Sequence, residues 1–61
     1  MKVRDVIRRL EDDGWRVART RGSHRQLKYR SKPGTVTVAG HSNDDLNRDT
    51  LKSIWRQAGL E

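Results

Sequence analysis

His24 stands in RTRGSHRQLKYR, residues 19 to 30, where five of the twelve residues are arginine or lysine and none is an acid. An imidazole trades protons near neutral pH. Guanidinium groups grip phosphate oxygens through forked, charge-assisted hydrogen bonds. Together these residue types suit attack of an RNA 2′-hydroxyl on its own phosphate. That reaction asks for a general base or acid and for cations facing the developing negative charge, with neither a metal nor a protein nucleophile. In this reading His24 moves the proton, as base, acid or both in turn, while Arg21, Arg25, Lys28 and Arg30 hold the phosphates. Gly22 and Ser23 form a turn whose amide or hydroxyl touches one of them. The plainer reading makes His24 an exposed strand residue that contacts a phosphate or nothing.

Other phosphodiester chemistry finds less support. Metal-assisted hydrolysis needs converging carboxylates or imidazoles. The chain has only two histidines, His24 and His41, and the acids near His41 (Asp44, Asp45 and Asp49) fall where a loop and a helix start explain them as caps. Ser23 adjoins His24, but neighbours on a strand project to opposite faces, which argues against a Ser-His pair. No cysteine is present, so thiolate metal sites and disulfides are excluded. No cofactor or metal is expected.

The charge distribution points the same way. Residues 1 to 15 balance Lys2, Arg4, Arg8 and Arg9 against Asp5, Glu11, Asp12 and Asp13. Residues 16 to 32 carry Arg16, Arg19, Arg21, Arg25, Lys28, Arg30 and Lys32 against no acid, so the whole excess behind the net +6 lies there. Seven uncompensated cations repel one another, and a polyanion such as nucleic acid relieves that repulsion. An acidic protein partner would satisfy the same field. With 61 residues and no staples the chain is read as one small domain, 1–61, with a modest core. The lack of cysteine fits a reducing, cytosolic setting, and no apolar run approaches a membrane span or a signal-peptide core.

The elements that must position these groups follow from periodicity. Val3, Val6, Ile7 and Leu10 recur at helical spacing, with Gly14 as a left-handed stop, which predicts a helix over 3–13. From Trp15 the period becomes two, with Trp15 and Val17 on one face and Arg16 and Ala18 on the other, and Arg19 and Thr20 leading into Gly22. Beyond the Gly22-Ser23 turn, Arg25, Leu27 and Tyr29 share one face, and His24, Gln26, Lys28 and Arg30 share the other, which holds no apolar residue. Lys32-Pro33-Gly34 suits a type II turn, and Thr35–Ala39 reads as a third strand with Val36 and Val38 inward. Residues 40–45 read as loop, with Ser42 and Asp45 spaced for a capped turn. Leu51, Ile54, Trp55 and Ala58 give a last helix, with Asn47 and Asp49 as caps and Gly59 as its stop. The resulting α+β order is α-β-β-β-α: a three-stranded antiparallel sheet with two helices on one face and the His24 face open. Both tryptophans are expected in the core.

The chain resembles the HicA-family toxins, mRNA interferases encoded with a HicB antitoxin. The likeness rests on "LEDDGW" at the end of the first helix, "RGSH" into the second strand, "VTVAGHSNDDL" through the third strand and loop, and "TLKSIWRQAGL" in the last helix. It covers nearly the whole chain. The resemblance implies a double-stranded-RNA-binding-domain-like fold, a catalytic histidine at His24, RNA cleavage without a metal, and a HicB-like antitoxin that covers the active face. Many relatives carry a proline and a histidine where this chain reads Val38-Ala39-Gly40-His41, and glycine where it has Asp49, so the role of His41 stays open. Two rivals remain: a non-catalytic duplex-RNA-binding module, and a protein-interaction domain whose basic face meets an acidic partner.

Overall fold

The computed structural model describes residues 1–61. They run in the order α1 (Val3–Asp13), β1 (Trp15–Arg21), β2 (His24–Tyr29), β3 (Thr35–Ala39) and α2 (Arg48–Gln57). This is the expected α-β-β-β-α arrangement of an α+β fold. The strands form an antiparallel meander with β2 in the centre, and no helix is long and apolar enough to cross a membrane.

The helical stripe read from the sequence is the buried one. Val3, Val6 and Leu10 of α1 pack with Ile54 and Ala58 from the C-terminal helical region against Trp15, Leu27, Val36 and Val38 of the sheet. Ile7, Tyr29, Leu46, Leu51, Trp55 and Leu60 border this cluster half-buried. Both tryptophans therefore belong to the core or its margin. Burial on alternate residues of β3, at Val36 and Val38, shows that only one sheet face is covered.

Gly14 ends α1 at φ 118°, its N–H donating to the Leu10 and Glu11 carbonyls. A Cβ there would stand 2.6 Å from the Tyr29 ring. That ring in turn meets Trp15 edge-on, with centroids 5.4 Å apart. Lys32 closes the corner: its ammonium lies 4.8 Å from the Tyr29 ring centre, donates to the Ala58 carbonyl at 3.2 Å and pairs with Asp13 at 3.5 Å. One cation thus links the C-terminal ends of both helices to the sheet.

The opposite end is tied by the loop before α2. No side chain caps α1. Instead the Asp44 and Ser42 carbonyls accept from the Val3 and Arg4 N–H groups at 2.9 and 3.1 Å, which satisfies donors that a helix start leaves free. Within the loop it is Asp44, rather than the expected Ser42-Asp45 pair, that closes the turn, its carboxylate accepting from the His41 N–H at 2.9 Å. Asn47 caps α2 as expected, accepting from the Thr50 N–H at 2.8 Å. At the other end of α2 the Leu60 N–H returns to the Trp55 carbonyl at 2.8 Å, and Gly59 takes φ 73°.

Candidate active site

The β1–β2 hairpin turns on two residues, since Arg21 and His24 are directly paired. Gly22 takes φ 59° and no non-glycine residue has positive φ. This is the pattern of a turn with glycine first, which matches the twist of paired strands. Nothing lies within 4 Å of where a Gly22 Cβ would sit, so backbone conformation rather than crowding calls for glycine. The Ser23 carbonyl accepts from the Gly40 N–H at 3.2 Å, which anchors the turn to the end of β3. His24 is therefore the first strand residue after a fixed turn, and it is exposed.

The register slips between Val17 and Arg19, leaving Ala18 as the extra residue of a β-bulge. Its effect on the face is large. Continued alternation from Trp15 and Val17 would send Arg19 and Arg21 to the helix side of the sheet. After the slip, Arg19 pairs with Gln26 and Arg21 with His24, so both arginines join the uncovered face. β3 completes the rows, with Thr37 beside Gln26, Ala39 beside His24 and Thr35 beside Lys28. Arg19, Arg21, His24, Gln26 and Thr37 line one depression of about 210 Å³ with no apolar residue in its wall.

Of the residues expected at the site, His24 and Arg21 share this depression. Lys28 lies one row further from the turn on the same face, paired with Arg16 and Thr35, and Arg30 is exposed just past β2. Gly22 and Ser23 form the adjoining turn. Arg25 stands apart: it alternates to the helix-covered side, pairs with Val38, and donates to the Ser42 hydroxyl at 3.2 Å. Arg16 is also engaged elsewhere, donating to the Glu11 and Trp15 carbonyls.

Sequence reasoning missed Arg19 and Thr37, and it placed Gln26 on the open face without giving it a role. One signal was available for Arg19. Two arginines in phase with Trp15 and Val17, with no acid near them in the sequence, sit poorly on a covered face, which is the one hint of a change of phase.

The one ion pair of the chain joins Lys32 to Asp13 on the other side of the sheet. Arg19 and Arg21 are thus left with no carboxylate partner. No group of three or more histidine, aspartate or glutamate side chains gathers in a way that could hold a metal ion. His41 donates its backbone N–H to Asp44, and its exposed ring lies outside the depression.

Fold and site together define a class of small α+β protein that displays an imidazole beside two unpaired arginines on an uncovered sheet face. The chain belongs to the HicA toxin family, whose model, described as the HicA toxin of bacterial toxin-antitoxin systems, matches residues 3–60. It is a toxin of such a system and is paired with an antitoxin. Compared with curated proteins, the chain matches none.

Proposed function

We propose that this toxin is a metal-independent mRNA interferase, an endoribonuclease in which His24 is the general base. The imidazole takes the proton of an RNA 2′-hydroxyl, O2′ forms a bond to the adjacent phosphorus, and the bond from phosphorus to O5′ breaks. The departing 5′ oxygen gains a proton from solvent, which the open depression admits, and His24 releases its own proton to solvent. The products are a 2′,3′-cyclic phosphate and a 5′-hydroxyl. Arg21 faces the charge that grows on the non-bridging oxygens. Lys28 and Arg30 extend the phosphate contact along β2, and the Gly22-Ser23 turn lets the RNA backbone approach closely. Arg25 acts at one remove by holding the loop through Ser42.

The observation that carries this reading is an exposed imidazole in one depression with two arginines that have no carboxylate partner. In a family of toxins, such a site offers proton transfer and phosphate binding together. Its silencing partner is a HicB-like antitoxin that lies over the same face and buries His24.

Incubation with a long single-stranded RNA in EDTA tests the mechanism. Wild-type protein should yield fragments ending in 2′,3′-cyclic phosphate, and His24→Ala should bind the RNA yet leave it whole. Cleavage that persists in His24→Ala would overturn the role of His24. Bound but intact RNA with the wild type would leave a binding module in place of a nuclease.

A further inference from the structure

Charge on the uncovered face is distributed unevenly across the sheet. Arg19 and Arg21 lie on the edge strand β1, whereas β3 presents only Thr35, Thr37 and Ala39 to the same side. A phosphate is therefore drawn to the β1 side, and nothing on β3 competes for it. Between the two lies Gln26, on the central strand, paired with Arg19 on one side and Thr37 on the other. This row spans two strand spacings, roughly 9.5 Å, which is the scale of one nucleotide from phosphate to base edge.

We propose that Gln26 and Thr37 make the depression a base-reading seat, in which the nucleotide held at its phosphate by Arg19 and Arg21 lays its base edge across the Gln26 amide and the Thr37 hydroxyl. The proposal rests on the nuclease reading for its substrate, single-stranded RNA. An amide offers a donor and an acceptor side by side, the pattern that a base edge presents in return. Neither the amide nor the hydroxyl carries charge, so the pair contributes discrimination among bases in preference to general attraction. The face also lacks an aromatic residue: Trp15 and Tyr29 pack on the covered side and Trp55 borders the core. Stacking on an aromatic platform, the commoner way to hold an unpaired base, is not offered here, and hydrogen bonding to the edge takes its place. Gln26 is thus a specificity-determining residue, distinct from His24, which acts on the sugar hydroxyl.

Two measurements decide the proposal. In the first, cut sites on a long RNA are mapped by sequencing fragment ends for wild type, Gln26→Ala and Thr37→Val. The wild type should favour certain bases at one position beside the cut, and Gln26→Ala should relax that preference about tenfold, equal to about 1.4 kcal/mol and within the range of a bidentate base contact. An unchanged preference in Gln26→Ala would overturn the proposal. The second measurement needs no cleavage. His24→Ala protein, with and without Gln26→Ala, is titrated with uridine-rich heptanucleotides that differ only in the central base. Discrimination that vanishes with Gln26→Ala upholds the seat even if the wild type proves unable to cut RNA, in which case the nuclease reading alone would fall. Discrimination that is absent from the outset, or unaffected by Gln26→Ala, overturns the seat whatever the cleavage result.

Discussion

Arg19 and Arg21 flank the His24 site without an acid to neutralise them, so in the proposed complex each releases counterions from the phosphate it contacts. For single strands the logarithm of affinity falls with the logarithm of salt by about 0.7 per phosphate contact. Arg19→Ala and Arg21→Ala should each weaken RNA binding and flatten that slope by about 0.7, as read by fluorescence anisotropy across a salt series. His24→Ala should leave the slope unchanged. Arg25→Ala should leave it unchanged too, because that guanidinium faces Ser42 on the other side of the sheet; an equal loss of slope there would show that Arg25 reaches the RNA. Gly14 is constrained in a different way, since its φ of 118° and the Tyr29 ring 2.6 Å from a would-be Cβ both oppose a side chain. Gly14→Ala should cost about 2 kcal/mol or more in a denaturant titration, whereas Gly22→Ala, with open space around it, should cost only the backbone strain, about 1 kcal/mol.

The bulge in β1 sets the phase that brings Arg19 and Arg21 to the open face, and the site depends on that phase. Removing Ala18 takes out the unpaired residue while all six paired positions of the hairpin keep their partners and faces. A variant lacking Ala18 should therefore retain a cooperative thermal transition and bind RNA within about threefold of wild type. Loss of binding with the fold intact would show that the bend, and not the phase alone, aims Arg19 and Arg21. Lys32 plays the corresponding part behind the sheet. Lys32→Met should cost about 1 to 2 kcal/mol, mostly through the contact with Tyr29 and the hydrogen bond to the Ala58 carbonyl; the half-exposed pair with Asp13 adds little. These features also mark how far the sequence could be read. Both helices and all three strands followed from period and from glycine stops, because burying Val3, Val6 and Leu10 on one side leaves few alternatives. The open face of β2 followed as well, and with it the position of His24. The bulge did not, because alternation is a local signal and the position of a one-residue slip shows only in what the partner strand does. The tie between Asp44 and α1 was equally out of reach, since backbone carbonyls this far along the chain leave no trace in residue type.

At the scale of the whole molecule, the cations of residues 16–32 fall into two groups. Arg16, Arg25 and Lys32 are engaged by the protein's own carbonyls, hydroxyl or carboxylate. Arg19, Arg21, Lys28 and Arg30 remain for a partner, and four phosphate contacts imply a salt slope of about −3 for single-stranded RNA. Mutual repulsion of these four in the free protein adds to the burden of a small core, with nine buried residues in 61. A ligand that binds only the folded chain stabilises it by about 2.7 kcal/mol at a hundred times its Kd. In a protein of this size that amounts to a rise in Tm of roughly 10 to 20 °C. An oligoribonucleotide at that concentration in low salt should produce such a rise in His24→Ala protein, and adding salt at fixed RNA should erase it as the Kd climbs. A HicB-like antitoxin lying over the same face should raise Tm as well and prevent any further rise with RNA. Additive shifts from the two ligands would mean that they occupy different faces, and the antitoxin would then silence the toxin by some means other than covering His24.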